Sequence, residues 1–563
     1  MLKLPIPVID LFAGPGGLGE GFSALRTPQG KEVFRIGVSV EKDQLAHRTL
    51  LLRSFYRNLL RQGFVPEFYY EMIRNSRQDS LAGLVETSRD RQIHAAFTNA
   101  QSEALCLELG NPQADLVVSQ AIAKAIQGYE DWVLIGGPPC QAYSLAGRSR
   151  NKGVKGYRIE DDHRSILYKE YLKVIAIGRP ALFLMENVKG MISAKLHGRP
   201  VFNQIVEDLR KPTLALGAKG IHALETEYEI VPVKLSAKEK TNNHNSFELE
   251  TGFGEKDYIV RCEEHGIPQH RHRLIVLGIR SDVLNRSVAW QKGNWRLNKF
   301  SGPTPSVMDV IRDLPQLTSY LSSRETVEGK RYKAKGNWKE LLQFIRESAG
   351  LISGSENHWT NQVSANGSVK QIIVENMVNI AENFAECRNR NGSAFIPISE
   401  KSLPVSAIHL ASWYRDERLQ GYCNHECRSH MDKDLERYLF ASVFAKAIGR
   451  SPVLDEFPPE LQPRHKSAGT GHFNDRFRVQ IADSPATTIT SHISKDGHYF
   501  IHPDPSQCRS LTVREAARIQ TFPDNYVFCG PRTSQFVQVG NAVPPFLAYQ
   551  LAGCMWQLLN FSK

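Results

Sequence analysis

The sequence has no uninterrupted apolar run near the roughly 18 residues that a membrane-spanning helix requires. Its first residues, MLKLPIPVIDLFAG, are interrupted by two prolines and Asp10, so we expect mature structure there rather than a signal peptide. Cysteines are also few: nine in 563 residues, odd in number and irregularly spaced. Such cysteines do not make a disulfide framework, and we expect a reducing, cytoplasmic compartment.

Internal repeats and long low-complexity tracts are also missing from the sequence. Hydrophobic residues make up 41% and charged residues 23%, which is ordinary for a packed protein and excludes a disordered or collagen-like chain. The length favours about two to four domains. Lys and Arg number 70 against 59 Asp and Glu, a formal charge of +11. This modest excess of cations favours a polyanionic partner without identifying it.

Five short apolar segments before residue 281 indicate an α/β fold. They have no polar alternation, which is typical of strands in a parallel sheet with both faces covered. The long segment between the second and third of them, about 45–130, is predicted to be a helical insertion. The five segments are VIDLF at 8–12, FRIGVSV at 34–40, WVLIG at 132–136, ALFLM at 181–185 and LIVLGI at 274–279.

Glycines or reactive side chains follow four of these segments. The first is followed by GPGGLG at 14–19, the second by Glu41, the third by Cys140 and the fourth by Glu186. Ligands bind at the carboxyl ends of parallel strands, so we expect these residues to meet in one crevice. The glycine pattern suits a dinucleotide or S-adenosylmethionine, with Glu41 placed for ribose hydroxyls, and a plain tight turn is the alternative.

Cys140 lies in the sequence GGPPCQ, in which two glycines and two prolines predict a stiff loop at the end of a strand. Arg148, Arg150 and Lys152 follow with no acidic residue among them. These cations could favour a thiolate and contact phosphates. A buried, inert cysteine and a solvated basic loop are the alternatives.

Two further motifs lie closer to the C-terminus. In QHRHR at 269–273, strand alternation would put Arg271 and Arg273 on the same side, where both could reach one target. In LTVREAARIQTFPD at 511–524, capping-box spacing and a following proline predict a short helix. Between these motifs the apolar pattern disappears for about 200 residues, which predicts a separate domain.

Together these motifs resemble those of the DNA cytosine-5 methyltransferase family and follow the family order along the chain. The resemblance covers roughly residues 6–285 and 480–555. The segments that carry it are DLFAGPGG at 10–17, GGPPCQAYS at 136–144, MENV at 185–188, QHRHR at 269–273, RSLTVREAARIQTFPD at 509–524 and QVGNAVPP at 538–545.

The resemblance implies a Rossmann-like methyltransferase domain with a mostly parallel central sheet, and a smaller, irregular target-recognition domain that reads DNA bases. The first domain would comprise residues 1–285 and be completed by 535–563, and the second would comprise 286–534. It further implies double-stranded DNA as partner, a separately acting restriction endonuclease, no membrane, and a monomer on DNA in the bacterial cytoplasm and nucleoid. The recognised bases do not follow from the sequence.

The implied reaction is methyl transfer from S-adenosylmethionine to C5 of a flipped-out cytosine. The Cys140 thiolate would add to C6, which makes C5 nucleophilic, and would leave at the end. Glu186 would contact N3 and the exocyclic amine, while Arg273, helped by Arg271, would hold the base at O2. The sequence does not identify the base that removes the C5 proton, and a water molecule is one candidate.

The resemblance implies contacts to cofactor and DNA as well, with Phe12 packing on adenine and Glu41 binding the ribose. The cofactor-binding residues would be Phe12, Ala13, Gly14, Gly16, Gly17, Glu41, Leu167 and Asn541. The DNA-binding residues would be Gln141, Ser144, Arg148, Arg150 and Lys152.

The family's acidic residue that contacts adenine has no clear counterpart here, although Asp115, Glu130 and Asp131 lie in the relevant segment. Tyr143 stands where phenylalanine is common in the family. The run Cys423, His425, Cys427 and His430 lacks a standard zinc spacing, and we predict no metal site.

Two alternative functions are an RNA cytosine-5 methyltransferase and a DNA-binding regulator without catalysis. The large middle region favours DNA, because reading a duplex requires an extended surface. The presence of Cys140, Glu186 and Arg273 argues against a regulator.

Overall fold

The computed structural model describes residues 3–139, 163–196, 199–217, 226–234, 253–321, 367–383, 391–398, 406–463 and 474–561. The chain divides into two compact units. The first comprises residues 1–66, 79–303 and 542–563, and the second comprises residues 67–78 and 304–541. The predicted functional domains, with boundaries after 285 and 534, stay a prediction.

The strands and helices are numbered in chain order. The strands are β1 (Ile6–Leu11), β2 (Phe34–Glu41), β3 (Ala104–Cys106), β4 (Val133–Gly136), β5 (Leu182–Val188), β6 (Lys195–Leu196), β7 (Arg199–Pro200), β8 (Tyr228–Val231), β9 (Ile259–Arg261), β10 (Gln269–His270), β11 (His272–Arg280), β12 (Tyr320–Leu321), β13 (Gly392–Pro397), β14 (Gly421–Glu426), β15 (Ser429–His430) and β16 (Ala486–Thr487). The helices are α1 (Gly17–Ala24), α2 (Gln44–Arg61), α3 (Glu67–Arg74), α4 (Leu81–Thr87), α5 (Arg91–Glu103), α6 (Pro112–Ile126), α7 (His163–Gly178), α8 (Val201–Arg210), α9 (Pro212–Ala215), α10 (Ser281–Arg286), α11 (Val288–Lys292), α12 (Val307–Ile311), α13 (Gly367–Asn383), α14 (Ile408–Tyr414), α15 (Asp432–Ile448), α16 (Val513–Ile519), α17 (Arg532–Asn541) and α18 (Pro545–Leu559).

The first unit is built on a central sheet with strand order β3-β2-β1-β4-β5-β11-β8, and β9 pairs with β11. Strands β3, β2, β1, β4 and β5 are all parallel. The order reverses between β1 and β4, which is the place where open α/β sheets bind ligands. The predicted α/β fold with a mostly parallel central sheet is confirmed.

One strand runs in a direction that the apolar pattern does not predict. The segment LIVLGI is expected to be parallel, but β11 is antiparallel to β5, β8 and β9. A continuous apolar run indicates only that both faces of a strand are covered. Such a strand can run parallel or antiparallel to its neighbours. The pattern also misses β3, β8 and β9, which are three or four residues long. The segment between β2 and β4 is otherwise helical, as predicted.

Apolar side chains cover both faces of this sheet. Ile6 and Val8 of β1 pack with residues of α1 and α18 on one face. Ile9 and Leu11 of the same strand pack with residues of α6, α7 and α8 on the other. Successive side chains of a strand point to opposite faces of the sheet, and here both faces are covered by helices. The strand sequences are therefore apolar without alternating polar residues.

The described strands of the second unit are at most six residues long and pair only two at a time, so its described residues form no extended sheet, consistent with the loss of the apolar pattern. The predicted helix near the C-terminus is confirmed as α16, and its capping box is formed by Thr512 and Glu515. Buried arginines tie this helix to its surroundings. Arg514 donates to the carbonyls of Cys423, Pro523 and Tyr526.

Throughout the described part of the chain, no helix has the length and apolar character needed to cross a membrane.

Candidate active site

The loop after β1 adopts a backbone that favours glycine. Gly14 and Gly16 have φ angles of +58° and +99°, and Phe12 has a φ of +58°, which is strained for a residue with a side chain. The Ala13 N–H donates to the Val40 carbonyl at 3.0 Å and helps to hold this turn. No described atom lies within 4 Å of the position that a Cβ of Gly14 would occupy. The loop is therefore open at Gly14.

Glu41, at the end of β2, is bonded to this loop. Its Oε2 accepts the Gly14 N–H at 2.8 Å, and its Oε1 accepts the Asp43 N–H at 2.7 Å. Burial raises the pKa of Glu41, and these two hydrogen bonds oppose the rise. Each carboxylate oxygen can accept a further hydrogen bond, so the group can both shape the loop and receive hydroxyl donors.

Gly17 contacts protein backbone. A Cβ on this residue would lie 2.3 Å from the Val543 carbonyl oxygen, so glycine allows the chain before α18 to approach α1 closely. The side of Gly17 toward which a Cβ would project is thus occupied by the protein. Its predicted cofactor contact stays a prediction.

The ends of β5 and β11 bring two predicted catalytic residues together. The Arg273 Nε lies 2.9 Å from the Glu186 Oε1, and 13% of each side chain is exposed. The end of β4 is also close, because a Cβ on Gly137 would lie 3.1 Å from the Glu186 Oε2. Glu186 therefore meets Arg273 and the chain at Gly137, and the predicted convergence with Cys140 stays a prediction.

Six predicted residues lie outside the described residues. They are Cys140, Gln141, Ser144, Arg148, Arg150 and Lys152.

Arg271 is 1% exposed, and its Nη2 donates to the Ala542 carbonyl at 2.8 Å. Burial lowers the pKa of this guanidinium to about 9, with Arg273 contributing in the same direction. This hydrogen bond links the arginine motif, QHRHR at 269–273, to the chain segment before α18. Its predicted contact with a base stays a prediction.

Asn187 has a structural role that is not evident from its sequence motif. Its buried side chain donates to the Pro138 carbonyl at 3.1 Å and accepts the Val188 N–H at 2.9 Å. It thereby holds the chain two residues before Cys140 against the end of β5. The sequence gives no sign of this contact beyond the position of Asn187 next to Glu186, because Asn187 and Pro138 are 49 residues apart.

The remaining predicted cofactor residues lie in different environments. Leu167 is a buried residue of α7, and Asn541 is the exposed last residue of α17 in the second unit. Nothing in these positions tests their predicted roles.

Of the acidic residues considered for adenine, Asp115 accepts the Gly110 N–H at 2.9 Å through its Oδ1, and Glu130 is exposed. Asp131 is buried and pairs with Arg280 at 2.9 Å and Arg286 at 3.0 Å. Glu108 follows β3, whose Cys106 is aligned with Glu41, and its exposed carboxylate pairs with Lys42 at 3.0 Å. The apolar pattern misses β3, and it therefore also misses this acidic residue at the carboxyl edge of the sheet.

The chain is similar to a known protein family and to several named methyltransferases. The family model described as C-5 cytosine-specific DNA methylase matches residues 118–212 and 234–556. Type II methyltransferase M.Bpa9945I of Bacillus paralicheniformis is 31% identical over 567 residues, covering 98% of this chain and 99% of that protein. Type II methyltransferase M.AgeI of Thalassovita gelatinovora is 26% identical, covering 97% of each chain. DNA (cytosine-5-)-methyltransferase M.ApeKI of Aeropyrum pernix is 22% identical, covering 85% of this chain and 96% of that protein.

Proposed function

Because the chain belongs to the C-5 cytosine-specific DNA methylase family, it is a sequence-specific DNA cytosine-5 methyltransferase, and we propose that Cys140 performs the reaction by covalent addition. The observation that carries this proposal is the pairing of Arg273 with Glu186 beside Gly137. These groups lie where the chain leads directly to Cys140. Glu186 and Arg273 neutralise each other in the free protein, so neither charge is left unpaired before a base enters.

S-adenosylmethionine is the proposed methyl donor, and when bound it supplies an electrophilic methyl group. The loop after β1 fits such a ligand, because it is open at Gly14 and carries the Glu41 carboxylate at its edge. Phe12 would pack on the adenine, and Glu41 would accept hydrogen bonds from the ribose hydroxyls. Glu108, after β3, is a candidate for the acidic contact to adenine that the motifs do not identify.

The proposed chemistry overcomes the low nucleophilicity of cytosine C5. The Cys140 Sγ would form a bond to C6, and the electrons of the C5–C6 double bond would become available at C5 for attack on the methyl group, whose bond to the donor sulfur breaks with the electron pair left on that sulfur. Glu186 contacts N3 and the exocyclic amine, and Arg273 contacts O2, where they stabilise the charge that develops on the ring. Loss of the C5 proton to a base then restores the double bond and expels the Cys140 thiolate.

The second unit is proposed to read the DNA sequence, within the predicted recognition domain 286–534. Three relatives of similar length are named as DNA or type II methyltransferases, which supports a restriction-modification role with a separate endonuclease. A monomer acting on DNA in the bacterial cytoplasm and nucleoid completes the proposal. The net charge of +11 favours a polyanionic substrate.

Base-resolution mapping of 5-methylcytosine tests this proposal. The chain is expressed in a host without DNA methylation, beside the variants Cys140→Ala and Cys554→Ala. We expect methylation at one short motif with the wild type and with Cys554→Ala, whose sulfur is buried in α18. We expect none with Cys140→Ala, because no other group would add to C6.

Retention of methylation by Cys140→Ala would contradict the covalent mechanism. An empty map for the wild type would instead favour an RNA substrate or a regulator. Glu186→Gln should slow turnover while leaving cofactor affinity close to that of the wild type, and unchanged turnover would remove Glu186 from its assigned role.

A further inference from the structure

Two histidines and a carboxylate meet on the first unit, beside the arginine motif. The Glu263 Oε1 lies 2.7 Å from the His272 Nε2 and 3.4 Å from the His270 Nδ1. One potential ligand atom from each of the three residues lies within 4.8 Å of the other two. The three side chains therefore converge on one small volume.

The alternating sequence explains why the histidines are available to solvent. In QHRHR, 51% of the His270 side chain and 29% of the His272 side chain are exposed, whereas Arg271 and Arg273 are largely buried. Residues two apart on an extended chain project to the same side. The arginines are thus directed into the protein and the histidines out of it.

Ordered backbone positions the third side chain. Glu263 lies in the 3₁₀ helix Cys262–His265, which follows β9 directly. Strand β9 pairs with β11, with Arg261 aligned with His272, and the Cys262 N–H donates to the Arg271 carbonyl at 3.1 Å. Two backbone segments joined by hydrogen bonds therefore carry the three side chains.

The donor set matches a divalent ion of the zinc type. Zn²⁺ binds imidazole nitrogen and carboxylate oxygen at about 2.0–2.2 Å, so tetrahedral ligand atoms stand about 3.4 Å apart. The distances of 2.7 and 3.4 Å from the Glu263 Oε1 differ from this spacing by at most about 0.7 Å. The two histidine nitrogens lie no more than 4.8 Å apart, which is at most about 1.4 Å beyond it. Three protein ligands would leave a fourth position for water.

We propose that Glu263, His270 and His272 form a binding site for Zn²⁺, separate from the Cys and His run in the second unit. The ion would replace the hydrogen bonds between Glu263 and the histidines and would link the 3₁₀ helix to the start of β11. Because His272 immediately precedes Arg273, a bound ion would restrain the strand that carries this arginine. The site itself does not depend on the reaction that Arg273 serves.

Titration of the full-length, tag-free protein with Zn²⁺ alone, after treatment with a chelator, tests the proposal. Calorimetry should report one equivalent bound at this site, and Glu263→Gln, His270→Gln and His272→Gln should each lower its affinity at least about tenfold, since each removes a ligand. His94→Gln, which replaces an exposed histidine of α5, should bind as the wild type does.

Co²⁺ provides a second, spectroscopic readout. Tetrahedral Co²⁺ absorbs visible light strongly, and this band should appear with the wild type and His94→Gln and be lost with His270→Gln. His270 is half exposed, so its replacement is expected to leave the fold intact, which thermal melting in chelator would verify. Absence of uptake by the wild type, or uptake unchanged in all three ligand variants, would overturn the proposal.

Discussion

Asp10 carries a carboxyl group that is 0% exposed within β1, just before the glycine-rich loop that follows this strand. Among the described residues, neither of its oxygens has a hydrogen bond of normal geometry, although the Gly19 N–H is near enough to favour the ionised form. Burial raises the pKa of Asp10 to about 8, against the attraction of Arg57. That arginine is itself paired with Glu103. A protonated Asp10 therefore avoids an unpaired buried charge.

Replacing Asp10 with asparagine should change how stability depends on pH. Between the unfolded pKa of 3.8 and the folded pKa of about 8, the folded state holds a proton that the unfolded state has released. The stability contribution of Asp10 is therefore present at low pH and is lost as pH rises through this window. The stability of Asp10→Asn relative to the wild type should therefore rise by roughly 3–4 kcal/mol between pH 5 and pH 8.

Urea unfolding at several pH values measures this difference, with Asp79→Asn at an exposed position as the control. A difference that stays constant across the range would show that Asp10 does not retain a proton in the folded state.

Helices α1 and α18 are held together by close backbone contact. A Cβ on Gly21 would lie 2.3 Å from the Tyr549 N and 2.4 Å from the Pro545 carbonyl oxygen. Gly17, one turn earlier, similarly faces the Val543 carbonyl. Side chains at these two positions would separate α1 from α18, so the helix that follows the glycine-rich loop after β1 depends on glycine for its packing.

Gly21→Ala should destabilise the protein by roughly 1–3 kcal/mol, because two backbone atoms would have to move to admit the methyl group. Gly553→Ala is the matched control within α18, since no described atom lies within 4 Å of its added Cβ. It should raise stability by up to roughly 1 kcal/mol through helix propensity. Urea midpoints measure both changes, and equal shifts in the same direction would rule out the packing explanation.

At the scale of the whole molecule, the second unit contains histidines that burial keeps neutral. Burial lowers the pKa of His425 and of His502 to about 4, and it also lowers the pKa of His430. Both ring nitrogens of His425 are bonded, Nδ1 to the Thr512 hydroxyl and Nε2 to the Pro315 carbonyl. A neutral imidazole suits these two contacts, because one of its nitrogens donates a hydrogen bond and the other accepts one.

The second unit, which does not contain Asp10, should lose stability in mild acid. Below the unfolded histidine pKa of 6.5, the unfolded chain takes up protons that buried His425 and His502 cannot accept until about pH 4. Their stability contribution is therefore complete above pH 6.5 and falls as pH decreases toward 4. Urea midpoints at pH 7 and pH 5 measure the loss, and we expect a clearly lower midpoint at pH 5.

His425→Gln should show a weaker pH dependence between these two values, even though its stability at pH 7 is lower. His94→Gln, at an exposed position, should keep the wild-type dependence. The same slope in all three proteins would exclude His425 as a source of acid sensitivity.

Local sequence determined the elements of this protein and the types of residue at their ends. Strands β1, β2, β4, β5 and β11 are predictable because each is buried on both faces and so must be continuously apolar. Helix α16 is predictable because its capping box lies within four consecutive residues. Cys140, Glu186 and Arg273 were identified as candidates because their motifs are compact.

Only the tertiary structure decided which of these residues meet. The direction of β11 and its register with β5 bring Arg273 to Glu186. Segments that are far apart in the sequence also meet, as in the hydrogen bonds from Asn187 to Pro138 and from Arg271 to Ala542. The contact of Glu263 with His270 and His272 likewise could not be predicted from their spacing in the sequence. Each contact depends on the path of the chain between its partners, and that path is set by the packing of whole elements and not by neighbouring residues.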